Sequence, residues 1–516
     1  MTSILTPAVT ALRIAFSRFS RFVRAVTCSL LAACMLVPPG LAQAQLPTLG
    51  DGSEMTVNAE RRMGARIARE LYRDPDYIDD PVIAEYVQTL WQPLLAAARA
   101  RGELTPEMDQ RFAWEVLLGR DRTVNAFALP GGYLGVQLGL IGVVANRDEL
   151  ASVLAHELSH VTQRHIARMA TQQSKVAPWM MGAMILGALV LGRNAEAGNA
   201  LIASSQALAI QNQLNFSRDM EREADRIGFG VLTQAGFDQQ GFVTMFDKLQ
   251  QASRLNDTGS FPYLRTHPMT TERIADMQTR QPLGARPVVA APNMEHALVT
   301  ARARSLSVTA VDVLRSRIAE PSAPGFAALG PVRQAAVLYA AALAQTRLRE
   351  PAAARELISK LTAVTANDLR SARLTRLLAA EVAIEAGDFA RAAALVDGAS
   401  ADRPEVVLWT QARLRMGDAN DVAQRLQTWV AQNPRDASAW QLLSTAYANQ
   451  GLTLRSIRAA AEAQVATLDY AAAIDRFKAA QDLARKGGSI DHIEASIIDT
   501  RAREVESLLR EQALER

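Results

Sequence analysis

The 516-residue sequence predicts an α+β domain with a small sheet, followed by an all-α domain of helical repeats. Three observations carry that prediction. The main period-two runs fall between residues 112 and 136, with helix-period patterns on both sides. From about Met294 onward the chain turns rich in Ala, Leu and Arg, in apparent helices of about 12 to 15 residues. Turn signals then recur at Glu350-Pro351, Gly387-Asp388, Gly417-Asp418 and Gly451-Leu452, at intervals of about 30 to 37 residues, the tetratricopeptide period.

The first 44 residues are of a different kind. Arg13, Arg18, Arg21 and Arg24 precede a mostly apolar run from Ala25 to Val37, Pro38-Pro39-Gly40 breaks it, and Ala42-Gln43-Ala44 follows as a small-x-small cleavage signal. A charged region, a short apolar region and such a site read as a secretory signal peptide, which implies a periplasmic destination. The run is shorter than the ~20 residues a bilayer span needs. Leu31-Ala32-Ala33-Cys34 also matches a lipoprotein processing box, so lipidation at Cys34 is the alternative processing. The expected divisions are therefore a signal peptide over 1–44, a first domain over 45–292 and a repeat domain over 293–516.

Hydrophobic residues at 49% and charged residues at 21% exclude disorder as the main theme. The chain carries 56 Lys and Arg against 53 Asp and Glu. Removing the four leader arginines leaves 52 against 53, so the mature protein is near neutral and carries no electrostatic footprint for nucleic acid. Both cysteines, Cys28 and Cys34, lie in the leader as well. Any metal in the mature chain must be held by His, Asp or Glu.

Between Glu54 and Arg101 the spacing predicts helices, with Met63, Ile67, Ala68, Leu71 and Tyr72 on one face and Val82, Ile83, Tyr86, Val87 and Leu90 on another. Strands are expected over Phe112 to Leu118, within Arg122 to Leu129, and over Tyr133 to Val136, with Pro130-Gly131-Gly132 as a turn. Helix returns from Arg147 to about Thr171. The nearly continuous apolar run Val176 to Gly192 reads as a buried or membrane-touching hairpin, with a true span as the rival reading. In the tail, Trp440, Leu443, Ser444 and Tyr447 follow the W-x2-L-small-x2-Y pattern, and Ala473 with Phe477 gives a later A-x3-F pair. A plain Ala-rich bundle is the alternative.

The chemistry concentrates in Ala155-His156-Glu157-Leu158-Ser159-His160. Histidines at i and i+4 of a helix face the same way, so His156 and His160 can reach one Zn²⁺, with Glu157 placed to act as general base. Two surface histidines on a solvated helix would be the bland alternative. His165 lies nine residues beyond His156 and would face the far side of a continued helix. It also misses the spacing of a metzincin third ligand, so it reads as structural. A third ligand is sought in Ser217-Arg218-Asp219-Met220-Glu221-Arg222-Glu223-Ala224-Asp225, where Glu221 and Asp225 share a helix face. Glu221 could complete a His-His-Glu site, and Asp225 could bind the free nitrogen of a ligand histidine.

Together with Asn125-Ala126-Phe127-Ala128-Leu129-Pro130-Gly131-Gly132 and Thr266-His267-Pro268, these segments resemble, in this order, the gluzincin family that includes the CAAX-prenyl proteases and the heat-shock membrane protease. The nearest likeness is to its soluble periplasmic branch with a tetratricopeptide tail. The resemblance implies a zincin-like metalloprotease fold with one Zn²⁺ per chain, held by His156, His160 and Glu221, with Glu223 as the fallback ligand. It implies Glu157 as base, Asp225 as an orienting or proton-donating residue, and His267 as oxyanion stabiliser or resting cap. Asn125, Ala126, Phe127, Ala128 and Leu129 would form an edge strand that takes substrate by β-addition. The implied clients are unfolded or misfolded envelope proteins, with the outer-membrane β-barrel assembly machinery as a partner and a peripheral membrane contact. A periplasmic chaperone or scaffold with a mainly structural zinc is the rival function.

Overall fold

The computed structural model describes residues 55–172, 217–255, 259–280, 293–486 and 491–513. The signal-peptide segment and the apolar run Val176 to Gly192 lie outside them. Among the described residues no helix is long and apolar enough to cross a membrane.

Helix α1 (Val57–Tyr72) starts where the Thr56 hydroxyl accepts from the Ala59 amide, and it buries Met63, Ile67, Ala68 and Leu71, the predicted face. Helix α2 (Pro81–Ala100) starts at Asp80-Pro81 for a reason visible in the sequence. The Asp80 carboxylate accepts from the Ile83 amide, and proline at the first helical position loses no bond. A short α3 (Pro106–Arg111) leads into the sheet.

Three strands form, β1 (Glu115–Gly119), β2 (Ala126–Leu129) and β3 (Tyr133–Gln137), in the order β1-β3-β2. β3 is central and wholly buried, parallel to β1 and antiparallel to β2. All three strand signals are present, but the first strand begins at Glu115 and not at Phe112. Trp114 sits in the left-handed region at φ 51°, which stops extended pairing there. The β2–β3 turn requires Gly131 and Gly132, at φ 73° and 84°.

After α4 (Leu138–Val143), Asn146 caps α5 (Arg147–Thr162) by accepting from the Glu149 amide. Every residue of α5 from Glu149 to Thr162 is buried. It runs through the middle of the first half, under β2 and against α2, α7 (Arg218–Gln234) and α8 (Gln240–Arg254). A helix buried all round cannot leave its polar side chains to water, so each needs an internal partner. Short α6 (His165–Gln172), α9 (Tyr263–Thr266) and α10 (Thr271–Thr279) complete this half.

The chain from 293 is all-helical among the described residues: α11 (Met294–Leu306), α12 (Val311–Ala319), α13 (Pro331–Arg347), α14 (Pro351–Thr365), α15 (Leu369–Glu385), α16 (Phe389–Leu395), α17 (Arg403–Met416), α18 (Ala419–Gln432), α19 (Ala437–Asn449), α20 (Thr453–Ala466), α21 (Tyr470–Lys486) and α22 (His492–Ala513). The four turn signals all fall at helix boundaries, with Gly387, Gly417 and Gly451 at positive φ. Successive helices pack mainly on their neighbours. Buried Arg302 of α11 pairs bidentately with the Asp80 cap of α2, and half-buried Arg403 and Arg373 reach Asp79 and Glu85. The described residues from Met55 onward thus form one compact unit.

Candidate metal centre

Two helices make the site by crossing closely. A Cβ on Gly228 of α7 would lie 3.1 Å from the Ala155 carbonyl and the His156 amide of α5. A methyl there would sit tighter than ordinary van der Waals contact, so glycine eases the close approach of the helices. The crossing sets Glu221 and Asp225 of α7 opposite His156 and His160 of α5, so both predicted i, i+4 pairs meet face to face.

His156 Nε2 and His160 Nε2 lie 3.0 Å apart. The Glu221 oxygens stand 3.6 Å from the first and 3.4 Å from the second. His267, at the C-cap of α9, brings Nδ1 to 3.3 Å from His156 Nε2 and 3.0 Å from Glu221. These four residues form a group able to hold one metal ion. Four donors each ~2.0–2.1 Å from a tetrahedral zinc stand about 3.4 Å apart, so the spacing fits. Charge fits as well: Glu221 and Asp225 share the buried guanidinium of Arg273, buried Glu157 lies against His267, and a divalent cation would offset the excess of carboxyl groups.

The ligand set is held from behind. Asp225 Oδ1 lies 2.9 Å from His156 Nδ1, and Arg273 clasps both Asp225 oxygens at 2.7 and 2.8 Å. Arg273 also reaches Glu221 at 2.8 Å and donates to the Pro268 carbonyl at 2.9 Å, tying the His267 segment to α7. Burial works against the charge on Asp225, but Arg273 and His156 outweigh it and keep that carboxyl below the ordinary aspartate value. Glu221 is likewise held well below the usual glutamate range, His267 and Arg273 outweighing burial. The two histidines diverge. Burial opposes a proton on His156, yet Asp225 and Glu221 raise it to about 10, whereas burial keeps His160 well below its ordinary value.

Glu157 occupies the front of the site, fully buried. Its Oε1 accepts from the Tyr263 hydroxyl at 3.0 Å and lies 3.5 Å from His267 Nε2. Its Oε2 is buried with no hydrogen-bond partner among the described residues. Tyr263 stacks on His267, ring centroids 4.4 Å apart.

The structure thus brings His156, Glu157, His160, Glu221, Asp225 and His267 together. Glu223 points elsewhere, to Arg168 at 2.7 Å and His165 at 3.1 Å, and is no part of the ligand group. Ala126 to Leu129 form β2, at one edge of the sheet beside α5, with the Asn125 carbonyl accepting from the Gln137 amide. The expectation that His165 faces away on a continued helix is wrong. α5 ends at Thr162, Arg164 turns at φ 52°, and His165 packs fully buried against His160. Tyr263 and Arg273 escaped the sequence reading altogether. The only available signal was their closeness to Thr266-His267-Pro268, since a tyrosine and an arginine have many uses.

Two histidines and an acid from crossing helices, with a glutamate next to the first histidine that keeps one oxygen unpartnered among the described residues, define the centre of a metal-dependent peptidase. The model of Peptidase family M48 matches residues 85–281, which contain the whole cluster. The chain is 31% identical over 474 residues to a Vibrio cholerae protein provisionally described as a beta-barrel assembly-enhancing protease, covering 89% of this chain and 94% of the relative. It is 29% identical over 442 residues to the beta-barrel assembly-enhancing protease of Escherichia coli K12, covering 83% and 86%. A shorter match, 34% over 162 residues and 31% of this chain and 30% of the relative, is to the mitochondrial metalloendopeptidase OMA1 of Arabidopsis thaliana. The chain belongs to peptidase family M48 and is a metalloprotease.

Proposed function

We propose that this chain is a zinc-dependent endopeptidase of the bacterial envelope that cuts unfolded or misfolded proteins, outer-membrane β-barrel proteins among them. The observation that carries the reading is the buried four-donor group with the unpartnered Glu157 Oε2 beside it. The names of the Vibrio cholerae and Escherichia coli relatives support the client class. The leader over 1–44 supports export to the periplasm, and the near-neutral mature charge supports a protein rather than nucleic-acid partner.

His156, His160 and Glu221 would hold the zinc, with His267 as a fourth donor. Bound there, zinc would supply Lewis-acid polarisation of the scissile carbonyl and make nearby water more acidic. Glu157 takes a proton from the attacking water on Oε2 and delivers it to the departing amine. Asp225 keeps His156 in the tautomer that offers Nε2. His267 caps the resting site, and once displaced its ring is the nearest donor for an oxyanion. Because no member of the cluster exceeds 2% exposure, a polypeptide requires that this lid-like contact open. The β2 edge at Asn125 to Leu129 then takes the extended chain as an added strand. Residues 45–292 are the cutting part, and 293–516 are tetratricopeptide-like helices that hold the client or the assembly machinery.

Casein cleavage by the full mature chain, measured beside Glu157→Gln with bound zinc quantified in both, tests this reading. The variant should keep its zinc and lose activity by roughly 10²- to 10⁴-fold. If both proteins hold zinc and neither cleaves, and His267→Ala is also silent, the scaffold function replaces the protease one.

A further inference from the structure

We propose that His165 and Glu223 are positioning residues for His160, so that the two helix-borne ligand histidines are oriented by two different carboxylates, one directly and one through an intervening imidazole. The proposal rests on the metal-site reading above.

The backbone builds the contact deliberately. α5 stops at Thr162, and Arg164 adopts φ 52°, a conformation few non-glycine residues take without compensation. Its guanidinium is held by buried Glu60 at 2.8 Å and by the Met55 carbonyl. The reversal starts α6 at His165 and folds that side chain back behind His160. On a continuous helix five residues would separate them by about 140°. Instead their Nδ1 atoms lie 2.9 Å apart, with rings edge to face at 4.9 Å. His165 Nε2 then meets Glu223 Oε2 at 3.1 Å, and Arg168 holds the same carboxylate oxygen at 2.7 Å.

Tautomer logic makes this more than packing. His160 offers Nε2 to the donor group, so its proton sits on Nδ1. Two Nδ1 atoms at hydrogen-bond distance need one donor and one acceptor, so His165 Nδ1 accepts. His165 must then carry its own proton on Nε2, and that is the atom facing the Glu223 carboxylate. Each nitrogen has one role, and reversing any of them puts two donors or two lone pairs together. A ligand histidine usually gives its second N–H to a carboxylate or carbonyl. His156 does so to Asp225, while His160 does so to His165, with Glu223 fixing the far end.

Zinc affinity of the full mature chain, measured by competition with a chromophoric chelator, tests the arrangement without relying on activity. The parent should bind one zinc and His156→Ala none. His165→Ala should bind roughly 10- to 100-fold more weakly. His165→Asn places an acceptor oxygen where Nδ1 stood and should recover most of that loss. Glu223→Ala should move affinity the same way by less, and it keeps the test alive should His165→Ala fail to fold. A His165→Ala protein that binds zinc like the parent, or a loss that asparagine does not repair, reduces His165 to a packing residue and overturns the proposal. A parent that binds no zinc brings down the metal-site reading itself, a different and separable failure.

Discussion

Around α5 and α7 the chain buries Glu157, Glu221, Asp225 and Arg273 to 3% exposure or less; Arg273 holds both Glu221 and Asp225, and His267 stands against Glu157 and Glu221. Along α17 to α22 several ion pairs lie half in water, such as Arg413–Asp421 and Arg455–Asp491, and the buried contacts mix small residues such as Ala439, Ala446, Ala459, Ala461, Ala473 and Ala480 with larger apolar ones such as Leu443 and Phe477. The two regions carry charge at very different cost. A buried charge is tolerable only while its partners stay in place, so the metal centre stands or falls as a unit. An exposed pair contributes little, and stability in the tail comes from each helix packing on its neighbour. Buried charge is therefore concentrated in few residues in one half, while packing in the other is spread over many.

The strongest way to break this contrast is Arg273→Met. It leaves Asp225 and Glu221 facing each other without their cation and should cost about 3–5 kcal/mol. Thermal unfolding with and without zinc checks it, and zinc should restore part of the loss because it replaces missing positive charge. An unchanged melting temperature would mean the cluster is not coupled as described.

Phe477→Ala probes the other side. Phe477 is fully buried among Ala461, Ile474, Ile498 and Val505, and its loss should cost up to about 3–5 kcal/mol locally. Hydrogen exchange should show α21 and α22 loosening while zinc affinity stays within about twofold of the parent. A matching fall in zinc affinity would show that the tail and the site are not independent.

Gly228→Ala sharpens the boundary between the two kinds of packing. Its new methyl would stand 3.1 Å from α5 backbone, a squeeze worth about 1–3 kcal/mol. Because that backbone belongs to Ala155 and His156, zinc affinity should fall with stability. Stability lost with affinity intact would show that the crossing can widen without moving the ligands.

Much of this was legible in the residues. Helical periodicity places His156 beside His160 and Glu221 beside Asp225, because i and i+4 share a face whatever surrounds them. Asp80-Pro81 and the Gly-Asp turns marked their boundaries through local backbone chemistry that needs no distant partner. The small sheet was visible as alternation, although its first strand shortened where Trp114 left the extended region.

What the sequence by itself determined is that His156 shares a face with His160 and Glu221 with Asp225, with Glu157 next to His156, since those depend on spacing along one helix. Tertiary structure alone decided that the pairs face each other, through the close approach at Gly228, and that Glu221 rather than Glu223 joins the group. It also decided the parts played by Arg273, Tyr263 and His165. Arg273 acts across 48 residues to Asp225, and Tyr263 across 106 to Glu157. His165 depends on a left-handed turn at Arg164, which no helical periodicity encodes. Contacts between remote segments, and a helix that stops where its pattern continues, are set by the packing of the whole fold.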